Sequence, residues 1–261
     1  MHTPKLAATF PVVLALVLSV APARAETVNC TAITTLPAAI TEQGSYCFTG
    51  HLSTSITSGI AIEIRASNVI LDLNGFKLDG LAAGPGTFAY GIVALNSQNI
   101  TIKNGTIRGF IRGIWLADTG ESLGQVVENI RAEQNPHIGI SVEGFGAIVR
   151  NNQVVATGGS TILGGDAFGI EVTGQGSRVL NNDVIRTVKQ GRGTSLGIFI
   201  IAKFGRASGA LVVNNRITEA DIGIGFFVSS VISSTGKYRD NLTFDVTTPY
   251  AGGGTDAGNN N

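Results

Sequence analysis

A recurring Gly-Ile pair limits the fold of this chain more than any other feature of the sequence. Gly followed by Ile opens a short apolar alternation seven times, at spacings of 22 to 32 residues. The pairs begin at Gly59, Gly91, Gly113, Gly139, Gly169, Gly197 and Gly223. A repeat of this length is typical of a supersecondary unit that stacks on its neighbours. The sequence therefore predicts a solenoid.

A second series of residues follows the glycines in a fixed order. Its members are Asn74, Asn104, Asn129, Asn152, Asn182, Asn215 and Asn241. Asparagine tolerates the left-handed backbone region and bonds neighbouring backbone groups, so it suits a turn between two strands. Stacked turns would place these side chains in a ladder. We expect Asn152 and Asn182 to stack inside the coil.

The residues between the two markers alternate between apolar and polar. Residues 59–64 show this alternation, and residues 69–73 repeat it before the first asparagine. A period of two predicts strands, and 35 glycines with no helical stretches predict an all-β chain. Since no helices connect the strands, successive rungs must pair in parallel by coiling. The sequence predicts a parallel β-helix of about seven rungs.

Several segments resemble a known family. SNVILDLNGFKLDG at 67–80, GSYCFTG at 44–50 and the later NNDVI and NNRIT units are similar to the right-handed parallel β-helix repeats of the pectate-lyase-like superfamily. The closing GKYRDNLTF and GGTDAGNN resemble the tails of exported bacterial β-helix proteins without an assigned activity. The resemblance implies a single-stranded right-handed coil. It implies no one reaction, because that superfamily includes lyases, hydrolases, epimerases, tailspikes and proteins without known chemistry.

The organisation predicted from sequence has four parts. Residues 1–25 read as a secretory signal peptide, with a basic start, an apolar run at 11–20 and a small-residue cleavage site at 23–25. Residues 26–58 form an N-terminal cap, residues 59–245 the parallel β-helix, and residues 246–261 a flexible Gly/Asn-rich tail. We expect a secreted or periplasmic protein.

The charge and the cysteine content limit the classes of binding partner and indicate the compartment. Without residues 1–25 the chain has 16 basic and 18 acidic residues, which argues against a nucleic-acid partner. No later stretch is apolar enough to span a membrane. Cys30 and Cys47 are the two cysteines, and in an oxidising compartment they would form a disulfide contributing roughly 3 kcal/mol. Two free buried thiols are the alternative.

The register of the repeat selects an outer face. If each isoleucine after glycine points inward, the second and fourth residues after glycine point outward. Those positions hold Glu63, Trp115, Ser141, Glu143, Glu171, Thr173, Phe199, Ile201 and Phe227. In the enzymes that the chain resembles, this sheet forms the saccharide cleft. We interpret Trp115, Ser141 and Thr173 as substrate-binding residues, although the Trp115 indole could equally cover a loop.

Candidate catalytic groups lie on or near the same face. Glu143 and Glu171 fall on consecutive rungs with backbones about 8 Å apart, which suits an inverting hydrolase, or else they are two solvated carboxylates. A lyase or epimerase would need a base and a positive charge near a uronate. The candidates for those roles are His137, Lys189, Arg192, Lys203 and Arg206. No motif indicates a metal ion or a cofactor.

Two functions are therefore compatible with the sequence. The first is an exported β-helix protein that interacts with polysaccharide, as a lyase, epimerase or hydrolase. The second is a non-catalytic surface or periplasmic module that binds or supports other molecules. Phe199, Ile201, Phe226 and Phe227 make the last rungs apolar, so we also expect coverage by the tail or self-association there.

Overall fold

The computed structural model describes residues 29–118, 120, 122–202, 209–228 and 235–261, with Val228 described for its backbone only. The predicted signal peptide at 1–25 and the candidates Lys203 and Arg206 lie outside these residues. The described chain is built from strands and one short 3-10 helix at Leu81–Ala83.

The strands are short and follow one another closely. The first eleven are β1 Thr31–Ile33, β2 Ala38–Ile40, β3 Gly44–Phe48, β4 Leu52–Ser53, β5 Ile60–Ile64, β6 Val69–Asp72, β7 Lys77–Asp79, β8 Tyr90–Leu95, β9 Ile100–Arg108, β10 Arg112–Ala117 and β11 Val126–Glu133. The next six are β12 Ile138–Glu143, β13 Ile148–Arg150, β14 Gln153–Gly158, β15 Ala167–Thr173, β16 Arg178–Leu180 and β17 Asp183–Val188. The last six are β18 Ser195–Ala202, β19 Ala210–Val213, β20 Arg216–Val228, β21 Gly236–Arg239, β22 Leu242–Gly252 and β23 Thr255–Asp256.

Three parallel sheets run the length of the molecule. The first sheet contains β2, β5, β8, β10, β12, β15, β18 and the second halves of β20 and β22. The second contains β1, β3, β6, β13, β16, β19, β21, β23 and the first halves of β9 and β11. The third contains β4, β7, β14, β17, the second halves of β9 and β11, and the first halves of β20 and β22.

The chain visits the three sheets in the same order in every turn. It coils through about eight right-handed turns, close to the seven predicted, and the pairings between turns are parallel. The prediction of an all-β, right-handed parallel β-helix is confirmed.

The core fills the inside of the coil. Ile92, Ile114, Ile140, Ile170, Ile198 and Ile224 stack in register on the first sheet, and all are fully buried. Valines, leucines and isoleucines of the other two sheets complete one contiguous cluster. Burying each such side chain contributes about 1.5–3 kcal/mol, so the repeated isoleucine holds the turns together.

The glycine before each isoleucine also faces the interior. A Cβ at Gly169 would lie 2.5 Å from Val184 Cγ1 and 2.6 Å from the carbonyl oxygen of Gly197. The inward and outward alternation of the strand is therefore interrupted at the glycine, because the glycine and the following isoleucine both point inward. The pair at Gly59 is out of register with the others, because Ala61 and Ile62 align with Gly91 and Ile92.

The asparagines form two columns rather than one. Asn104 and Asn129 adopt left-handed φ values of 58° and 53°, and Asn151 and Asn181 continue this exposed column. Asn152, Asn182, Asn215 and Asn241 form a second, buried column one residue later. The amide nitrogens of Asn152 and Asn182 donate to the side-chain oxygen of the next asparagine at 3.0 and 2.9 Å. The predicted stacking of Asn152 and Asn182 is confirmed.

Both ends of the chain take part in the coil. Cys30 and Cys47 form the predicted disulfide, with a Cα–Cα distance of 5.7 Å. The segment predicted to be a cap contributes β1–β4. The segment predicted to be a flexible tail contains the end of β22 and all of β23, and Asn260 accepts hydrogen bonds from Asn241. Among the described residues, no helix is long and apolar enough to cross a membrane.

Candidate functional site

Three columns of side chains point outward from the first sheet. The two columns predicted from sequence contain Trp115, Ser141, Glu171 and Phe199 in one, and Glu143, Thr173, Ile201 and Phe227 in the other. Glu63 aligns with the first of these columns. The third column is the residue before each glycine, and it contains Tyr90, Arg112, Ile138, Phe168, Leu196 and Ile222. Strict alternation through the glycine would have placed this column inside, so the repeat pattern did not indicate these residues.

Tyr90, Arg112 and Trp115 form what we call the Trp115 cluster. The Tyr90 and Trp115 rings stack with centroids 5.2 Å apart and planes 27° apart. The Arg112 guanidinium carbon lies 4.7 Å from the indole centroid, within the range of a cation–π contact. All three side chains are half-buried. The cluster is therefore a partly exposed aromatic surface with a positive charge on it.

The two candidate carboxylates lie beside this cluster and are largely shielded from solvent. Glu143 is 7% exposed, and the Trp115 indole Nε1–H donates to its Oε1 over a long 3.5 Å. Glu171 is 5% exposed, and the Ser141 hydroxyl donates to its Oε1 at 3.4 Å. Glu143 pairs in register with Thr173 and Glu171 with Ser141, so the predicted one-turn, two-residue offset is present.

The substrate-binding candidates Ser141 and Thr173 are also buried. Ser141 is bonded to Glu171, whereas the Thr173 hydroxyl has no hydrogen-bond partner within the described part of the chain. A buried hydroxyl without a partner costs about 1–3 kcal/mol. Both residues lie on the predicted face, and their role in binding stays a prediction.

His137 lies at the edge of the same face. Its Nδ1 is 2.9 Å from the carbonyl oxygen of Asp166, so Nδ1 carries the proton and donates it to that oxygen. Its ring contacts Phe168 edge-on at 5.6 Å. Burial lowers the pKa of His137, and the Arg112 charge adds to this, while the Asp166 bond and the Glu171 charge oppose it. Neutral His137 keeps Nε2 as a proton acceptor.

Aromatic rings continue beyond the carboxylates. Phe168 and Phe199 stack at 4.9 Å, and Phe199 and Phe227 meet edge-on at 5.8 Å. The three rings are half-buried. With about 4.8 Å between turns, Trp115 and Phe199 are about 14 Å apart along the coil. The carboxylates therefore lie between two aromatic surfaces.

The remaining candidate residues do not join this group. The Lys189 ammonium pairs with Asp221 at 3.1 Å, and Asp221 also accepts from Ser195. Burial alone would raise the pKa of Asp221, but the hydrogen bonds from Ser195 and the contact with Lys189 outweigh burial and lower this pKa. Arg192 is exposed in the loop after β17. Within the described ranges, no group of three or more histidine, cysteine or acidic residues could hold a metal ion.

Comparison with known proteins identifies the family. A family model for a right-handed β-helix region matches residues 38–195, which is more than half of the chain. The chain belongs to this β-helix family. Among curated proteins, none matches its sequence.

One solved structure similar to this β-helix protein is the catalytic domain of a GH87 α-1,3-glucanase in complex with tetrasaccharides. The two share 13% sequence identity with a TM-score of 0.24. The similarity covers 84% of this chain and 64% of that domain, so the β-helix protein spans less than two thirds of it.

On this β-helix, the outer face of the first sheet combines several chemical groups. The Trp115 cluster offers a flat apolar surface, and Arg112 offers a cation. Glu143 and Glu171 lie largely buried between the two aromatic surfaces, and neutral His137 offers a proton acceptor at the edge of the face. Such a surface can pack on the CH face of a sugar ring and bond its hydroxyls.

Proposed function

We propose that this protein binds a polysaccharide at the outer face of the first sheet. The observation that supports this most is the Trp115 cluster, in which a half-buried indole and phenol stack at 5.2 Å beside a guanidinium. Aromatic surfaces pack on sugar rings, and the neighbouring Arg112 guanidinium would orient the hydroxyls. The disulfide suits an oxidising compartment, so we place this binding outside the cytoplasm.

Burial of the carboxylates favours binding over catalysis. Glu143 and Glu171 are 7% and 5% exposed, and both have hydrogen-bond partners on the sheet. A general acid or base must reach the reacting oxygen within about 3 Å, directly or through one water. The non-catalytic binding module is therefore our first choice. A lyase, epimerase or hydrolase remains the second, since the register offset of the carboxylates suits an inverting hydrolase.

Trp115→Ala tests the binding surface. We expect the substitution to weaken glycan binding by about 5- to 30-fold, because an aromatic contact contributes about 1–2 kcal/mol. Affinity electrophoresis against neutral and uronate polysaccharides would measure this. Phe244→Ala is the matched control, because it removes an exposed ring from β22, away from the outer face of the first sheet. Equal binding by wild type and Trp115→Ala would exclude this surface.

The same glycans distinguish binding from turnover. Unsaturated products indicate a lyase, and new reducing ends indicate a hydrolase. We expect neither from the wild-type protein. If wild type forms such products and Glu143→Gln or Glu171→Gln does not, the protein is an enzyme and not a non-catalytic binding module.

A further inference from the structure

A recess lies at the corner where the third sheet leads into the first. Two turns have short corners there, at residues 109–111 and 134–137. The turns on either side have longer loops, at residues 80–89 and 159–166. The long loops meet across the short corners, where the Thr161 backbone N–H donates to the Pro85 carbonyl at 3.3 Å. The result is a cavity of about 390 Å³, which we call the corner recess.

Residues of four consecutive turns form the floor of the corner recess. They are Gly109, Gln134, Ala156 and Arg186, which align in register and all have left-handed φ between 53° and 76°. The walls are mainly apolar and include Leu81, Pro85, Pro136 and Val188. A volume of this size is in the range of small-molecule sites.

Arg186 is the charged residue of this lining, and Glu219, which aligns with it one turn on, lies outside the lining. Other arginines of the third sheet are paired: Arg108 with Asp79 at 2.6 Å, and Arg216 with Asp183 at 2.6 Å. Within the described part of the chain, the Arg186 guanidinium has no hydrogen bond or ion pair. It is available to an anion from outside.

The backbone does not explain an arginine at this position. A left-handed φ is carried most readily by glycine and asparagine, and asparagine does so at the other corner at 129, 151 and 181. Arg186 has φ 61°, so the residue is unfavourable for its conformation. Gln134 and Ala156 share this conformation in the same column, so the left-handed φ gives no preference for an arginine there.

We propose that the corner recess binds a small organic carboxylate with an apolar body. The carboxylate pairs with the Arg186 guanidinium, whose planar fork matches it. The apolar body packs against Leu81, Pro85 and Pro136, and the Gln134 amide lies in the same floor. This site is separate from the Trp115 cluster and does not depend on glycan binding.

Titration calorimetry of the full protein with naphthoate, and with neutral naphthamide, tests the proposal. We expect saturable naphthoate binding and naphthamide binding at least about tenfold weaker, because the pair with Arg186 is charge-assisted. Arg186→Asn should lose at least about tenfold in naphthoate affinity and bind the two probes alike. Asparagine suits the left-handed φ, so this variant should unfold at the same temperature or higher.

Arg178→Asn is the matched control. Arg178 is an exposed arginine of the second sheet, and its loss removes the same charge from a surface away from the recess. We expect naphthoate affinity to be unchanged. The proposal is overturned if wild type shows no saturable binding, if naphthoate and naphthamide bind it equally, or if Arg186→Asn binds naphthoate as wild type does.

Discussion

Single asparagines perform two different tasks in this coil. The exposed column, with Asn151 and Asn181, supplies the left-handed residue that turns the chain. The buried column, with Asn152 and Asn182, fills the turn and bonds backbone groups of adjacent rungs. A buried amide with four hydrogen-bonding positions is stabilising only when its neighbours satisfy them. The stacked ladder does this because each rung repeats the same residue.

Asn182→Leu tests the buried column. The Asn182 side chain accepts from Asn152 and donates to Val149 and Asn215, so leucine would leave these groups unpaired inside the coil. We expect a loss of about 1–3 kcal/mol in the free energy of unfolding, measured by urea denaturation. Asn181→Gly, which keeps the left-handed φ, should change it by less than about 0.5 kcal/mol. Equal effects of the two substitutions would contradict the ladder.

The strands of the first sheet depend on glycine for close stacking. At Gly139, Gly169 and Gly197 a Cβ would meet both an inward side chain of the third sheet and a carbonyl oxygen of the next turn. The glycine therefore lets the first sheet approach the third. It also shifts the preceding residue outward, which brings Tyr90, Arg112 and Phe168 to the candidate site.

Gly169→Ala tests this close approach. The added methyl would lie 2.5 Å from Val184 Cγ1 and 2.6 Å from the Gly197 carbonyl oxygen. Overpacking of this kind costs about 1–3 kcal/mol, and we expect a lower thermal midpoint in calorimetry. Gly164→Ala is the control, because its Cβ would have no neighbour within 4 Å. If Gly169→Ala proved as stable as Gly164→Ala, the first sheet would not need glycine.

The whole molecule has open ends, since a solenoid does not close on itself. At the C-terminal end Tyr238 and Tyr250 stack at 4.6 Å over the core, and burial raises the pKa of Tyr250 to about 12. Phe226, which we expected to be covered, is buried in the core, and Gly236 and Gly254 of the C-terminal segment lie close to its ring. The exposed apolar groups of the last turn are instead Leu242, at 49%, and Phe244, at 77%.

Phe244→Glu tests the predicted self-association of the last turns. An exposed phenylalanine on a terminal strand favours contact with a second copy, whereas a carboxylate beside Asp245 opposes it. We expect sedimentation equilibrium to show concentration-dependent association of wild type and a monomeric Phe244→Glu. Phe88→Glu changes an exposed ring in the loop after β7 and should behave as wild type does. A wild type that is monomeric at every concentration would contradict the prediction.

Much of the candidate site was predictable because its residues follow the repeat. Trp115, Glu143 and Glu171 lie on the predicted outer face, since inward isoleucines fix the side chains after them. Tyr90 and Arg112 were missed because the strand alternation breaks at the glycine. Tyr90 and Arg112 each stand directly before a Gly-Ile pair, and an aromatic or charged residue at that position could have indicated them from the sequence.

The sequence by itself determined the parallel coil, its inward isoleucines and its disulfide, because these depend on a local period and on two cysteines near one end. Only the tertiary structure decided the division of the asparagines into two columns, the burial of the carboxylates and the corner recess. These depend on how residues 22 to 36 positions apart align between turns, as in the contact between Asn215 and Val179. One added residue in a loop changes that alignment and leaves the strand period intact.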